Sequence, residues 1–180
     1  MKKRSMDELN RLSAEEFRRS EKLPVTVVLD NVRSLNNIGS VFRTSDAFRI
    51  ECIHLCGITA TPPHREIQKT ALGATESVSW KYFSETGESV KELKAGGYQV
   101  YVVEQTDEST MLDEIDFTKP HKIAIIFGNE VKGVQQSIVD LADVCIEIPQ
   151  MGTKHSLNVS VSAGIVLWSV FREKVEIFNE

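Results

Sequence analysis

Hydrophobic positions along the chain alternate between two periods. Apolar, β-branched runs occur at 25–29, 51–57, 77–82, 98–103, 122–127 and 144–148, each of strand length. Between them lie segments with helical spacing, near 37–48, 64–73, 85–95 and 133–142, and a last one over about 156–174. Strands alternating with helices predict an α/β fold: a mostly parallel six-stranded sheet flanked by helices, with ligands gathered at the carboxyl ends of the strands. Gly96 and Gly97 should end the helix over 85–95. Residues 5–20 read as a charged helix with two capping-box spacings, Ser5 to Glu8 and Ser13 to Glu16, and a thin stripe of Leu9, Leu12 and Phe17. The expected organisation is an N-terminal helical extension over 1–24, one domain over 25–174 and a tail over 175–180.

The last segment mixes the two periods. In SLNVSVSAGIVLWSVF, Leu157, Val159 and Val161 alternate as in a strand before the sequence turns apolar. Its length and lack of an internal break favour a buried helix. Ser160, Ser162, Ala163 and Gly164 would give that helix a small-residue face open to another helix.

Composition narrows the class. A chain of 180 residues, 41% hydrophobic, suffices for one well-buried domain. No apolar run approaches the roughly 20 residues that span a bilayer. The start MKKRSMDELNRL lacks a signal-peptide core. Cys52, Cys56 and Cys145 show no paired spacing, so a reducing cytoplasm is expected. Net charge is −5, which gives no global sign of nucleic-acid binding. The charge is uneven, however: residues 1–90 hold 13 Lys/Arg against 12 Asp/Glu, and residues 91–180 hold 8 against 14. A polyanion should therefore approach the N-terminal half, where Arg33, Arg43, Arg49, Arg65 and Lys69 lie.

Three stretches carry candidate chemistry. In LDNVRSLNNIGSVFRTSDAF, Asn37 is expected to cap a helix that begins at Ile38, with Ile38, Val41, Phe42, Ser45 and Phe48 inward and Arg43 on the side of Gly39. Such a helix start with a nearby arginine suits an RNA phosphate; a plain cap with a surface arginine is the alternative. In IAIIFGNEVKGV, a strand ends at Gly128, followed by Glu130 and Gly133. The phosphate-loop ending is missing, which leaves a glycine that lets a ligand approach the backbone beside a carboxylate, or an ordinary turn. In IEIPQMGTKHSLNVS, a strand ends at Ile148-Pro149 and Ser156 is expected to cap the last helix. Asn158 would be costly inside a helix without partners. Cys52, His54 and Cys56 share one side of a strand, but no fourth ligand follows at zinc spacing, so core packing is expected and no metal site. His121 and His155 have no nucleophile pattern around them.

In this order and spacing, the three stretches resemble the motifs of the SpoU/TrmH-like branch of the SPOUT RNA methyltransferases, over Val25 to Lys174. The carrying residues are Asn37 and Arg43; Gly128, Glu130 and Gly133; and Ile148, Pro149, Gly152 and Ser156 to Ser160. The resemblance implies a C-terminal trefoil knot, which general topology rules would exclude. It implies a homodimer with the last helix and the first motif near the interface. It implies S-adenosylmethionine as cofactor, held near Gly128, Ile148 and Leu157, with Glu104 a candidate for the cofactor ribose. The acceptor it implies is a ribose 2′-hydroxyl of structured RNA, with tRNA slightly favoured over rRNA, and neither DNA nor a membrane is an expected partner. Arg43 would stabilise the developing alkoxide and grip a phosphate, because a guanidinium stays protonated. Asn37, Ser156 and Asn158 would orient Arg43 and the ribose, and Glu130 would fix an arginine or a substrate group. The alternative is a knotted RNA-binding dimer without catalysis.

Overall fold

The computed structural model describes residues 1–5, 8 and 11–178. The chain runs through α1 (Ala14–Arg19), β1 (Leu23–Asp30), α2 (Leu35–Ala47), β2 (Ile50–Cys56), α3 (Arg65–Ala71), α4 (Ala74–Ser77) and β3 (Ser79–Phe83). It continues through α5 (Thr86–Ala95), β4 (Tyr98–Val103), β5 (Thr110–Met111), β6 (Lys122–Phe127), α6 (Gln136–Val139), β7 (Val144–Glu147) and α7 (Val159–Lys174). The strands form one parallel sheet in the order β3-β2-β1-β6-β4-β7-β5. All six expected strands are present. The seventh, β5, has two residues and is too short to show a period.

Alternation along the central strands builds two apolar layers. Val25, Val27 and Leu29 of β1 and Ile123, Ile125 and Phe127 of β6 pack in one cluster with Ile38, Val41 and Phe42 of α2 and Ala163, Val166, Leu167 and Val170 of α7. Val28, Ala124, Ile126, Val100 and Val102 face the other way, toward Val90 and Leu93 of α5 and Ile138 of α6. The sheet is thus covered on both sides, and its carboxyl edge is left to the loops.

Several boundaries differ from the sequence expectation, each for a local reason. Among the described residues the N-terminal arm forms an α-helix over Ala14–Arg19, with Ser13 and Glu16 making a full capping box. Leu9 of the expected stripe lies outside the described residues. The arm docks on the body through buried Phe17 and a bond from Arg18 to the Glu76 carbonyl at 2.9 Å. The segment 64–73 breaks at Leu72 and Gly73, both at positive φ, before α4. The segment 133–142 is helical only over α6, because the amides of Val134 and Gln135 are held by side chains from elsewhere. The tail over 175–180 begins with a 3₁₀ turn, Val175–Phe178, packed through Ile177 and Phe178 on the core.

The small residues of α7 do not share one fate: Ala163 is buried in the core, whereas a Cβ added at Gly164 would meet nothing. His54 and Cys56 are buried and Cys52 is half-buried. Burial pushes the Cys56 thiol up to about 12 and the His54 imidazole down to about 4, with Ser89 Oγ 2.7 Å from His54 Nδ1. An unfolded chain takes up the His54 proton near pH 6.5, so it binds more protons than the folded chain between about 6.5 and 4. Stability from this group is therefore complete above pH 6.5 and lost as pH falls toward 4, by about 3 kcal/mol at most. Denaturant titrations of wild type and His54→Phe across that range should show the wild-type loss and its near absence in the variant.

Candidate active site

The first stretch folds differently at its start from the sequence expectation, and the difference matters. β1 ends at Asp30, Asn31 turns the chain at φ 55°, and Ser34 caps α2 by accepting from the Asn37 N–H at 3.3 Å. The cap is Ser34 rather than Asn37, and α2 begins at Leu35 rather than Ile38. A Ser three residues before the last amide without an intrahelical acceptor was the available signal. With capping done by Ser34, the Asn37 side chain is released for longer contacts. Its Nδ2 donates to Glu130 Oε1 at 3.1 Å, and its Oδ1 accepts from Asn158 Nδ2 at 3.2 Å. At 8% exposure, this amide has both ends used inside the protein.

The second stretch explains its glycines. After β6 the chain closes a tight loop in which the N–H groups of Asn129 and Gly133 donate to each other's carbonyls at 3.0 and 2.9 Å. Asn129 Oδ1 accepts from the N–H groups of Val131 and Lys132, an Asx turn, and its Nδ2 donates to the Asn31 carbonyl at 2.8 Å. A Cβ at Gly128 would lie 2.3 Å from Gly133 backbone, and one at Gly133 would lie 2.1 Å from Glu104 Oε2. Gly128 thus serves the loop's own closure as well as any ligand. Gly128→Ala is expected to open the loop, lowering the melting temperature and weakening donor binding at least tenfold, as calorimetry would read it.

Carboxylates hold this loop from three sides. Glu104 accepts from the Val134 N–H at 2.9 Å and the Gln105 N–H at 3.0 Å. Asp30, fully buried, accepts from Gln135 N–H, Gln135 Nε2 and Thr86 Oγ1 at 3.0, 2.9 and 2.6 Å. Glu130 reaches across to α2, accepting from the N–H groups of Arg33 and Ser34 at 3.0 and 2.9 Å besides Asn37. Burial opposes charge on Glu130, but the bonds from Arg33, Ser34 and Asn37 outweigh it and hold its carboxyl below the ordinary value. Its partners are therefore the peptide groups at the helix start, not an arginine side chain. The sequence reading missed Asp30 and Asn129; the Asn followed four residues later by Gly was the usable signal for the Asx turn.

The third stretch closes the site. Asn158, not Ser156, caps α7, accepting from the Ser160 N–H at 2.9 Å and Oγ at 2.6 Å, so the helix starts at Val159. Ser156 is left exposed in the extended segment before it. Between the ends of β4, β6 and β7 lies a cleft of about 710 Å³, lined among others by Glu104, Gly128, Glu130, Ile148, Ser156, Leu157 and Asn158. Asn37 stands behind its wall, bonded to Glu130 and Asn158. Arg43 does not line the cleft; it is exposed on α2.

The cleft fits a cationic ligand with an apolar part. Glu104, Glu130 and Glu147 line it against one lysine, Lys132, which suits a sulfonium. Val103, Ile146, Ile148 and Leu157 supply apolar wall.

Comparison with known proteins agrees with this layout. The model of the SpoU rRNA Methylase family matches residues 24–168. The tRNA (guanosine(18)-2′-O)-methyltransferase of Thermus thermophilus is 32% identical over 173 residues, covering 96% of this chain and 87% of that protein. The TrmH/SpoU tRNA modifying enzyme of A. aeolicus superposes with a TM-score of 0.80 at 28% identity, over 92% of this chain and 84% of that one. The AdoMet-bound rRNA methyltransferase of Sinorhizobium meliloti gives 0.79 at 27% identity, over 88% of this chain and 60% of that one. A matched model over most of its length and a relative this similar along nearly all of it place one conclusion on the three bonded motifs: the chain belongs to the SpoU family of RNA methylases.

Proposed function

We propose that this protein methylates a ribose 2′-hydroxyl of a tRNA, with S-adenosylmethionine as methyl donor. The observation that carries the reading is the unbroken chain Glu130–Asn37–Asn158, which ties one residue of each motif together at the wall of a cleft suited to a sulfonium. Relatives named for guanosine 18 of tRNA favour a guanosine ribose as the acceptor.

The donor would rest against Gly128, Ile148 and Leu157, and supplies an electrophilic methyl for in-line displacement. Glu104 has both oxygens engaged by backbone N–H groups, so its first task is to hold the Gly133–Val134 turn against the cleft, and a bond to the donor ribose would use its remaining lone pairs. Ser156, exposed at the rim, and Asn158 would orient the acceptor ribose. Glu130 holds the backbone N–H groups at the α2 start and Asn37 ties Glu130 to Asn158, so together they position the helix that carries Arg43. Arg43 would hold the adjacent phosphate and stabilise charge on the hydroxyl oxygen as its proton leaves.

Arg43 lies outside its own cleft, so in this reading it serves the cleft of a second copy. The homodimer has a surface to use: Val161, Ile165 and Trp168 form an exposed apolar stripe along α7, with Trp168 52% exposed. A trefoil knot around the second and third motifs belongs to the same proposal, and the cytoplasm, where tRNA matures, is its expected setting.

The test uses purified protein, labelled S-adenosylmethionine, and unmodified tRNA and rRNA transcripts. Label in a tRNA ribose 2′-O is the expected result. Absence of donor binding by calorimetry would instead support an RNA-binding dimer without catalysis.

A further inference from the structure

The α3–α4 elbow holds the least explained residue of the fold. Leu72 ends α3 at φ 49° and Gly73 follows at φ 90°. The left-handed region suits Gly or Asn at a helix end and strains a bulky side chain. Leu72 accepts that strain and is nonetheless 65% exposed. Burial does not repay the conformation, which makes a role in contact with a ligand the natural question.

Its place relative to α2 answers it. A Cβ at Gly39 would touch Ile67, Thr70 and Ala71, so this face of α2 lies on the end of α3. One register further on, Asp46 accepts from Ser77 Oγ, at the end of α4. Residues 71 to 77 therefore run alongside α2 from Gly39 to Asp46. Gly39, Asp46 and Arg43 project within about 60° of one another around the helix. Arg43 falls between the other two along the axis and so emerges beside Leu72 and Gly73. Lys69, exposed one turn before Leu72, is paired with Glu66 at 2.7 Å, whereas Arg43 has no carboxylate partner among the described residues.

We infer that Leu72 is a contact residue for the acceptor RNA, packing on the unstacked nucleoside whose ribose Arg43 addresses. An isolated apolar side chain beside the unpaired Arg43 and the open Gly73 backbone fits a nucleoside next to a phosphate. It does not continue the apolar stripe of α7, so a subunit contact is the poorer match. The inference rests on the proposed 2′-O-methylation, with Arg43 on the acceptor side.

Leu72→Gly and Leu72→Asn test it, because both residues accept the left-handed backbone. Expected are an unchanged or higher melting temperature, an unchanged solution mass, and donor affinity within about twofold of wild type. Affinity for an unmodified tRNA transcript should fall about tenfold, with KM rising more than kcat falls. An unchanged RNA affinity overturns the inference, as does a change in solution mass, which would make Leu72 a subunit contact. Failure of the wild-type protein to methylate any RNA, with RNA binding still lost in the Leu72 variants, would sink the proposed reaction and leave the contact standing.

Discussion

Arg43→Ala is expected to lower kcat for methyl transfer by about 10²- to 10³-fold while donor affinity stays within a few-fold of wild type. The side chain is exposed and pairs with no carboxylate among the described residues, so its removal should leave the melting temperature unchanged. Arg43→Lys should recover little, because a compact ammonium cannot hold a phosphate in two-point geometry while facing the ribose oxygen. Single-turnover rates and calorimetry of the same preparations read the two halves of the expectation. Loss of donor binding in Arg43→Ala would mean that the arginine belongs to the cleft wall.

The second large effect concerns Asn37. Asn37→Asp keeps the shape but turns the amide that donates to Glu130 at 3.1 Å into an acceptor. Two carboxylates would then face each other at a site 8% exposed, and one of them must take up a proton or the contact must open. A loss of about 3 kcal/mol in stability is expected near neutral pH, with transfer activity falling further because the α2 start moves. The sign with pH follows from Glu130, whose carboxyl is held below the ordinary value in the wild-type protein. In the variant the shared site binds a proton more readily when folded than when unfolded. Its stability deficit should therefore shrink as pH falls through the carboxylate range. Combining Asn37→Asp with Glu130→Gln removes the carboxylate repulsion but turns the new amide toward the Ser34 N–H, so only part of the stability should return. A double variant whose loss equals the sum of the two single losses would show that Glu130 does not bind Asn37.

Most of the architecture could be read from periodicity, because six strands and the helices between them bury an apolar layer on each face of the sheet and so must show it. What escaped was set by long-range contacts. β5 is two residues long, and α6 starts late because Glu104 and Asp30, distant in the chain, seize the amides of Val134 and Gln135. The two misplaced helix starts share a cause. Ser34 and Asn158 do the capping, whereas local preference alone made Asn37 and Ser156 equally good candidates. Of the site, the sequence named Asn37, Glu130, Asn158, Gly128, Ile148, Leu157, Ser156 and Glu104 near one another, and the cleft and its wall bring them together. The partner of Glu130 could not be read, since it is mainly the peptide N–H of Arg33 and Ser34, which any residues would offer. Arg43 stands apart from the cleft for a geometric reason: six residues beyond Asn37, it is turned about 240° around α2 and displaced about 9 Å along it.

That displacement leads to the most direct measurement. Subunits carrying Arg43→Ala are mixed with subunits carrying Ser162→Trp, which fills the cleft without touching Arg43. Each preparation alone should be inactive. If an arginine of one chain serves the cleft of the other, random reassociation gives mixed dimers with one complete site, and about a quarter of the wild-type rate returns. A mixture that stays as inactive as its components, although mixed dimers are shown to form, would contradict the account.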